Sequence, residues 1–229
     1  RGITAAVVGL GVHGMALAAQ LGEEGIRLHA ASDPRFAGED LGDLTQTPAL
    51  AGIQIVGGVD AIDWGGIDIA ILAAKVPVTV LADMTVTILR RGVNVITIVE
   101  DAFDLERFDP DAYTRIHDAG LTGGASFVVT GSQDTLWAGL VVHMSSQARD
   151  IRGINLTTHL GVDGYPEEFL TWCGIGNTPE QFEETAATAA ETPSVFGAVL
   201  PVIADALGLT ILSENRILEP YITMREKGT

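Results

Sequence analysis

Ala5-Ala6-Val7-Val8-Gly9-Leu10-Gly11-Val12-His13-Gly14-Met15-Ala16-Leu17-Ala18 runs from an apolar strand through G-x-G-x-x-G into a stretch with helical apolar spacing. Each glycine answers a separate demand. Gly9 permits the tight turn, Gly11 lets the backbone approach a pyrophosphate with no Cβ in the way, and Gly14 lets the helix pack close to the strand. The pyrophosphate then rests on the helix N-terminus, whose N–H groups and dipole favour negative charge. A second apolar strand, Arg27-Leu28-His29-Ala30-Ala31-Ser32, ends at Asp33, about 20 residues beyond the glycines, where a ribose-binding acid is expected. Together these features predict a dinucleotide site for NAD or NADP, contacted by Gly9, Leu10, Gly11, Val12, His13, Gly14, Asp33, Pro34 and Arg35. Asp33 is expected to bind the ribose hydroxyls and Arg35 to tolerate a 2′-phosphate.

The same rhythm continues outward. Phe36 to Leu50 reads as short helix or loop, Ile53 to Val56 as a small strand, and Val59 to Ile62 as a short helix. Ile67 to Ala73 is a nearly continuous apolar run of the kind buried in a parallel sheet. A helix over Val76 to Arg91, a strand over Val93 to Val99 ending at Glu100 and Asp101, a helix over Asp109 to Ala119 and a strand over Ala125 to Thr130 follow. Alternation of this sort implies an α/β fold: a Rossmann doubly wound parallel sheet with right-handed crossovers over residues 1–130.

Beyond Thr130 the pattern changes to a smaller α+β domain over residues 131–229. Helices are expected over Thr135 to Gln147, over Thr178 to Ala190 with Thr178 as N-cap, and over Ser194 to Leu207 with Gly208 at its end. Strands are expected over Asp150 to His159 and Leu209 to Leu218. The chain opens on Arg1 rather than Met, so a trimmed or incomplete N-terminus is expected.

Composition narrows the function classes. With 47% hydrophobic and 19% charged residues among 229, the chain has enough apolar material for a core. A net charge of −17 without a basic run disfavours nucleic acid as a partner. The most apolar window, Ile67 to Leu89, is broken by Asp68, Lys75, Pro77 and Asp83, which disfavours a membrane span. No leader precedes the first strand and Cys173 is the single cysteine, from which a cytoplasmic location follows as an expectation. The Cys, His and acidic residues show no metal-ligand spacing, so no metal is expected.

Several stretches resemble the 2,4-diaminopentanoate dehydrogenases and native amine dehydrogenases of the dihydrodipicolinate-reductase-like group. These are Ala31-Ser32-Asp33-Pro34-Arg35-Phe36-Ala37-Gly38-Glu39-Asp40-Leu41-Gly42, Val95 to Asp101, Thr130-Gly131-Ser132-Gln133-Asp134, and Gly174 to Phe182. The third occupies the place of the family's glycine-rich junction loop, but reads Gly-Ser-Gln-Asp-Thr where the family often has Gly-Val-Asn-Pro-Gly. True dihydrodipicolinate reduction is disfavoured, since His159 is followed by Leu160 with no lysine close by.

The resemblance implies reversible reductive amination of a small ketone or aldehyde, with ammonia and an amine as partners, and further substrate-domain strands beyond those here, so that domain is expected to be incomplete; a homodimer through the second domain is the expected assembly. Such chemistry needs a carboxylate that stabilises an iminium cation and moves protons, and Glu100 at a central strand end is the catalytic candidate. Asp101 is the weaker one, because strand alternation would turn it away. Ala73, Ala74 and Lys75 at another strand end, with Ser132 and Gln133 of the junction loop, are further cofactor candidates. A solvent-facing lysine at a helix start is an equal reading of Lys75. Asp134, Trp137 and His159 are the candidate substrate contacts, with Trp172 a second aromatic that packing alone would explain. His29, His117 and His143 read as structural. A reductase of another imine or carbonyl compound, or a dinucleotide-sensing protein without turnover, are the alternatives.

Overall fold

The computed structural model describes residues 2–131, 133–159, 161, 167–172, 174–191, 195–215, 217 and 219. Strands β1 (Thr4–Val8), β2 (Arg27–Ser32), β3 (Ile55–Val56), β4 (Ile69–Leu72), β5 (Asn94–Thr97) and β6 (Phe127–Val129) form one sheet in the order β3-β2-β1-β4-β5-β6. Every adjacent pair is parallel. This is the strand order of the Rossmann fold, and the order reverses between β1 and β4.

β1 shows why the sheet is covered on both faces. All of its residues are buried, and successive side chains point to opposite faces. Ala5 and Val7 enter a cluster with Leu10, Ala18, Leu28, Leu41 and Ile55, under helices α1 (Val12–Glu23) and α2 (Leu41–Thr45). Ala6 and Val8 enter the opposite cluster with Leu72, Leu81, Ile88, Val95 and Ile116, under α3 (Val78–Leu89) and α5 (Pro110–Gly123). A short helix, α4 (Leu105–Phe108), precedes α5. Local signals set the ends: Pro77 caps α3, while Asp109 accepts the Ala112 N–H at 3.0 Å and Pro110 opens α5.

The chain divides into two compact units, Arg1–Leu136 and Trp137–Thr229. A π-helical segment, Gln133–Leu140, spans the division and leads into α6 (Val141–Ser145), and α7 (Glu167–Trp172), α8 (Pro179–Glu191) and α9 (Val195–Ala206) follow in the second unit. α8 starts with a reciprocal cap: Gln181 N–H donates to Thr178 Oγ1 at 3.3 Å, and Thr178 N–H donates to Gln181 Oε1 at 2.9 Å. Past α9, Leu209 N–H donates to Ala204 O at 2.8 Å.

Two expected strands do not form. Residues 150–159 and the described part of 209–218 are irregular, and each pairs with no strand among the described residues. Alternating apolar and polar residues suit a pleated surface, but without a partner strand their backbone groups turn to water. No helix among the described residues is long and apolar enough to cross a membrane.

Candidate functional site

The glycine turn between β1 and α1 is built by contacts from three sides. Gly9 has φ +90, a left-handed conformation, and a Cβ there would lie 2.5 Å from Ala74 N. A Cβ on Gly14 would lie 1.8 Å from Gly9 O. Both positions therefore require glycine for the chain's own packing. Gly11 is different: its φ of −71 suits any residue, and a Cβ would meet nothing within 4 Å. Nothing in the fold demands a glycine here, whereas a ligand lying against the backbone would.

Gly11 is also the N-cap of α1, and its lack of a side chain leaves no capping oxygen to compete for the first-turn N–H groups. That first turn carries no acidic residue. Backbone N–H groups, a helix dipole and an open approach together fit a pyrophosphate.

Asp33 follows β2 and is 4% exposed. Its Oδ2 accepts the Leu10 N–H at 2.8 Å, tying the glycine turn to the end of β2, while Gly9 N–H donates to Ser32 O at 2.8 Å. Arg35 closes the other side: its N–H and Nε donate to Oδ1 at 2.9 and 3.0 Å, and Nη2 donates to Oδ2 at 2.8 Å. Hydrogen bonding from the Arg35 side chain, helped by the Leu10 N–H and opposed by burial, holds the Asp33 carboxyl down at about 2. Because the folded-state value lies below the ordinary 3.8, the pair stabilises the fold above that pH and its contribution disappears as pH falls towards 2. The contribution is at most about 2 kcal/mol, since the Arg35 side chain is 62% exposed and screened. Asp33→Asn is accordingly expected to lower stability at pH 7 and to match the wild type near pH 2, as read from denaturant unfolding at each pH.

A second group gathers at the C-terminal ends of β1, β4 and β5. Thr97 is fully buried, donates its hydroxyl to Leu72 O at 3.0 Å and accepts the Val99 N–H at 3.1 Å. This crosslink sets the exit of β5 beside β4, and a 3-10 turn, Glu100–Ala102, follows. Glu100 and Asp101 thus sit on a turn, so the alternation that would have separated them on a strand does not apply. Glu100 is exposed as a residue, yet partial desolvation by the protein around its carboxyl raises its pKa above the ordinary 4.5. Asp101 adds to the rise, while His13 from the glycine turn and Lys75 beyond β4 oppose it. The first unit therefore brings Asp101, His13 and Lys75 within range of the Glu100 charge.

Of the other expected site residues, Ala73 and Ala74 pack against the glycine turn, and Pro34 lies exposed between Asp33 and Arg35. Ser132 lies outside the described residues, as does Cys173, and for Gln133 and Asp134 the backbone alone is described. Trp137 is half-buried and His159 exposed, both in the second unit, and the Trp172 side chain is outside the described set. His117 stacks on Tyr113 along α5 with ring centroids 5.8 Å apart. The described residues hold no group of three or more His, Cys, Asp or Glu able to bind a metal ion. Sequence reasoning missed Thr97, whose signal is a hydroxyl at the end of an otherwise apolar strand, and Phe36, whose ring lies 5.1 Å from the Arg35 guanidinium.

No family model matches the chain, and no curated protein sequence matches it. Among solved structures, it is similar to an amine dehydrogenase from Mycobacterium smegmatis, with 25% identity and a TM-score of 0.74, over 93% of this chain and 64% of that one. A partial match extends to the WlbA dehydrogenase from Bordetella pertussis in complex with NADH and UDP-GlcNAcA, with 18% identity, a TM-score of 0.45, and 64% and 42% of the two chains covered. It extends also to a hyperthermophilic archaeal homoserine dehydrogenase mutant in complex with NADPH, with 15% identity, a TM-score of 0.43, and 61% and 46% covered. The chain spans less than two thirds of the length of each.

Proposed function

We propose that the protein is an NAD(P)-dependent oxidoreductase acting on a carbon–nitrogen bond, aminating a small ketone or aldehyde with ammonia and running the reverse on an amine. The observation that carries the dinucleotide reading is Gly11, a glycine that the fold leaves open and that a pyrophosphate against the backbone would require. The fold likeness to an amine dehydrogenase supports the choice of bond.

When bound, the nicotinamide supplies or takes up hydride. The chain's own residues handle charge and protons. Condensation of ammonia with a carbonyl releases water and leaves an iminium cation, which an ionised Glu100 stabilises. The same carboxylate takes a proton from ammonium, and a pKa raised by burial and Asp101 keeps its acid form accessible for returning a proton to the departing oxygen. His13 and Lys75 oppose that rise. The acidic chain, with its net charge of −17, favours approach of ammonium over anions.

The test is a panel of ketones and aldehydes with ammonium and reduced cofactor, followed at the nicotinamide absorbance. Oxidation that requires both carbonyl and ammonium supports the reading. Oxidation without ammonium assigns a carbonyl reductase instead, and tight cofactor binding with no oxidation on any substrate assigns a sensing protein.

A further inference from the structure

Resting on the dinucleotide reading above, we infer that this site selects NADP(H) over NAD(H), with Arg35 as the residue that reads the 2′-phosphate and Asp33 as its anchor rather than as a ribose ligand. A carboxylate offers about four lone-pair positions. Those of Asp33 are filled by Leu10 N–H, Arg35 N–H, Nε and Nη2, all between 2.8 and 3.0 Å. A ribose hydroxyl arriving at the end of β2 finds no acceptor left on this residue, and the carboxylate is buried at 4% exposure behind the arginine.

Arg35 is placed in the opposite way. Its side chain is 62% exposed, and its Nη1 makes no hydrogen bond among the described residues. The guanidinium is nonetheless held on two sides, bidentate on Asp33 and over the half-buried ring of Phe36 at 5.1 Å. A charged fork already fixed in place loses little freedom when it takes a phosphate, and phosphate geometry suits it. The expected balance between Asp33 and Arg35 is thereby reversed: the acid positions the base, and the base faces the ligand.

The experiment measures dissociation constants of NADPH, NADH, adenosine 2′,5′-bisphosphate and 5′-AMP by calorimetry on the wild type, Arg35→Gln and Arg35→Lys. Each variant's folding is checked by its melting curve. The expected result is a wild-type preference for NADPH of roughly 10- to 100-fold, the usual strength of a charge-assisted contact, matched in direction by the bisphosphate over AMP. Arg35→Gln collapses that ratio, and Arg35→Lys restores part of it. A purely structural Arg35 would weaken both cofactors alike and leave the ratio unchanged, which would overturn the inference. So would a wild type that binds NADH as tightly as NADPH. Binding of neither dinucleotide is a different failure, that of the dinucleotide reading itself.

Discussion

Gly11→Val weakens nicotinamide dinucleotide binding by roughly 10- to 100-fold while the fold stays intact, the expected result if the open face of Gly11 is where the pyrophosphate lies. The branched side chain meets no protein atom within 4 Å of its Cβ, so the cost to stability is confined to the poorer helix N-cap, about 1 kcal/mol. Gly14→Ala is the matched control with the opposite outcome. Its Cβ would lie 1.8 Å from Gly9 O, backbone that cannot swing aside, and a loss of about 2–3 kcal/mol in stability is expected. Calorimetric titration and denaturant unfolding on both variants separate the effects. Undiminished affinity in Gly11→Val would mean that this turn does not hold the cofactor.

Glu100→Gln is expected to lower turnover in reductive amination by about 10²–10⁴-fold with cofactor affinity retained, because the amide keeps the shape but neither stabilises a cation nor transfers a proton. A second readout distinguishes loss of chemistry from damage. The folded-state pKa of Glu100 is raised, so its ionised form is disfavoured by folding above the ordinary 4.5 and that penalty is absent below it. Glu100→Gln should therefore melt higher than the wild type at pH 7 and show no such advantage at pH 4. Near-wild-type turnover would remove Glu100 from the mechanism and make Lys75 the next residue to replace.

Legibility in the sequence followed how local each signal is. β2 runs over Arg27–Ser32 in the structure as expected, β1 begins one residue before its expected stretch, at Thr4, and β3 to β6 fall inside their expected windows, because strands of a parallel sheet covered on both faces are mostly apolar. The reciprocal cap of Thr178 with Gln181 and the end of α9 near Gly208 are likewise written within a few residues. Residues 150–159 and 209–218 failed as strands because pairing depends on a neighbour that no local pattern specifies. The site divides the same way. The three glycines and the strand-end acid Glu100 are visible in the chain. The hold of Asp33 on Leu10 spans 23 residues, and no spacing rule shows that this acid is spent inside the protein.

The glycine turn is fixed before any ligand arrives: Gly9 is wedged against Ala74 and bonded to Ser32, Leu10 is bonded to Asp33, and Gly14 is seated on Gly9. A dinucleotide lying on this turn would therefore leave the turn's ordering entropy to folding and not to association. Capture of a cofactor at such a turn is expected to be a single encounter step, its observed rate rising in proportion to concentration without a plateau in stopped-flow binding.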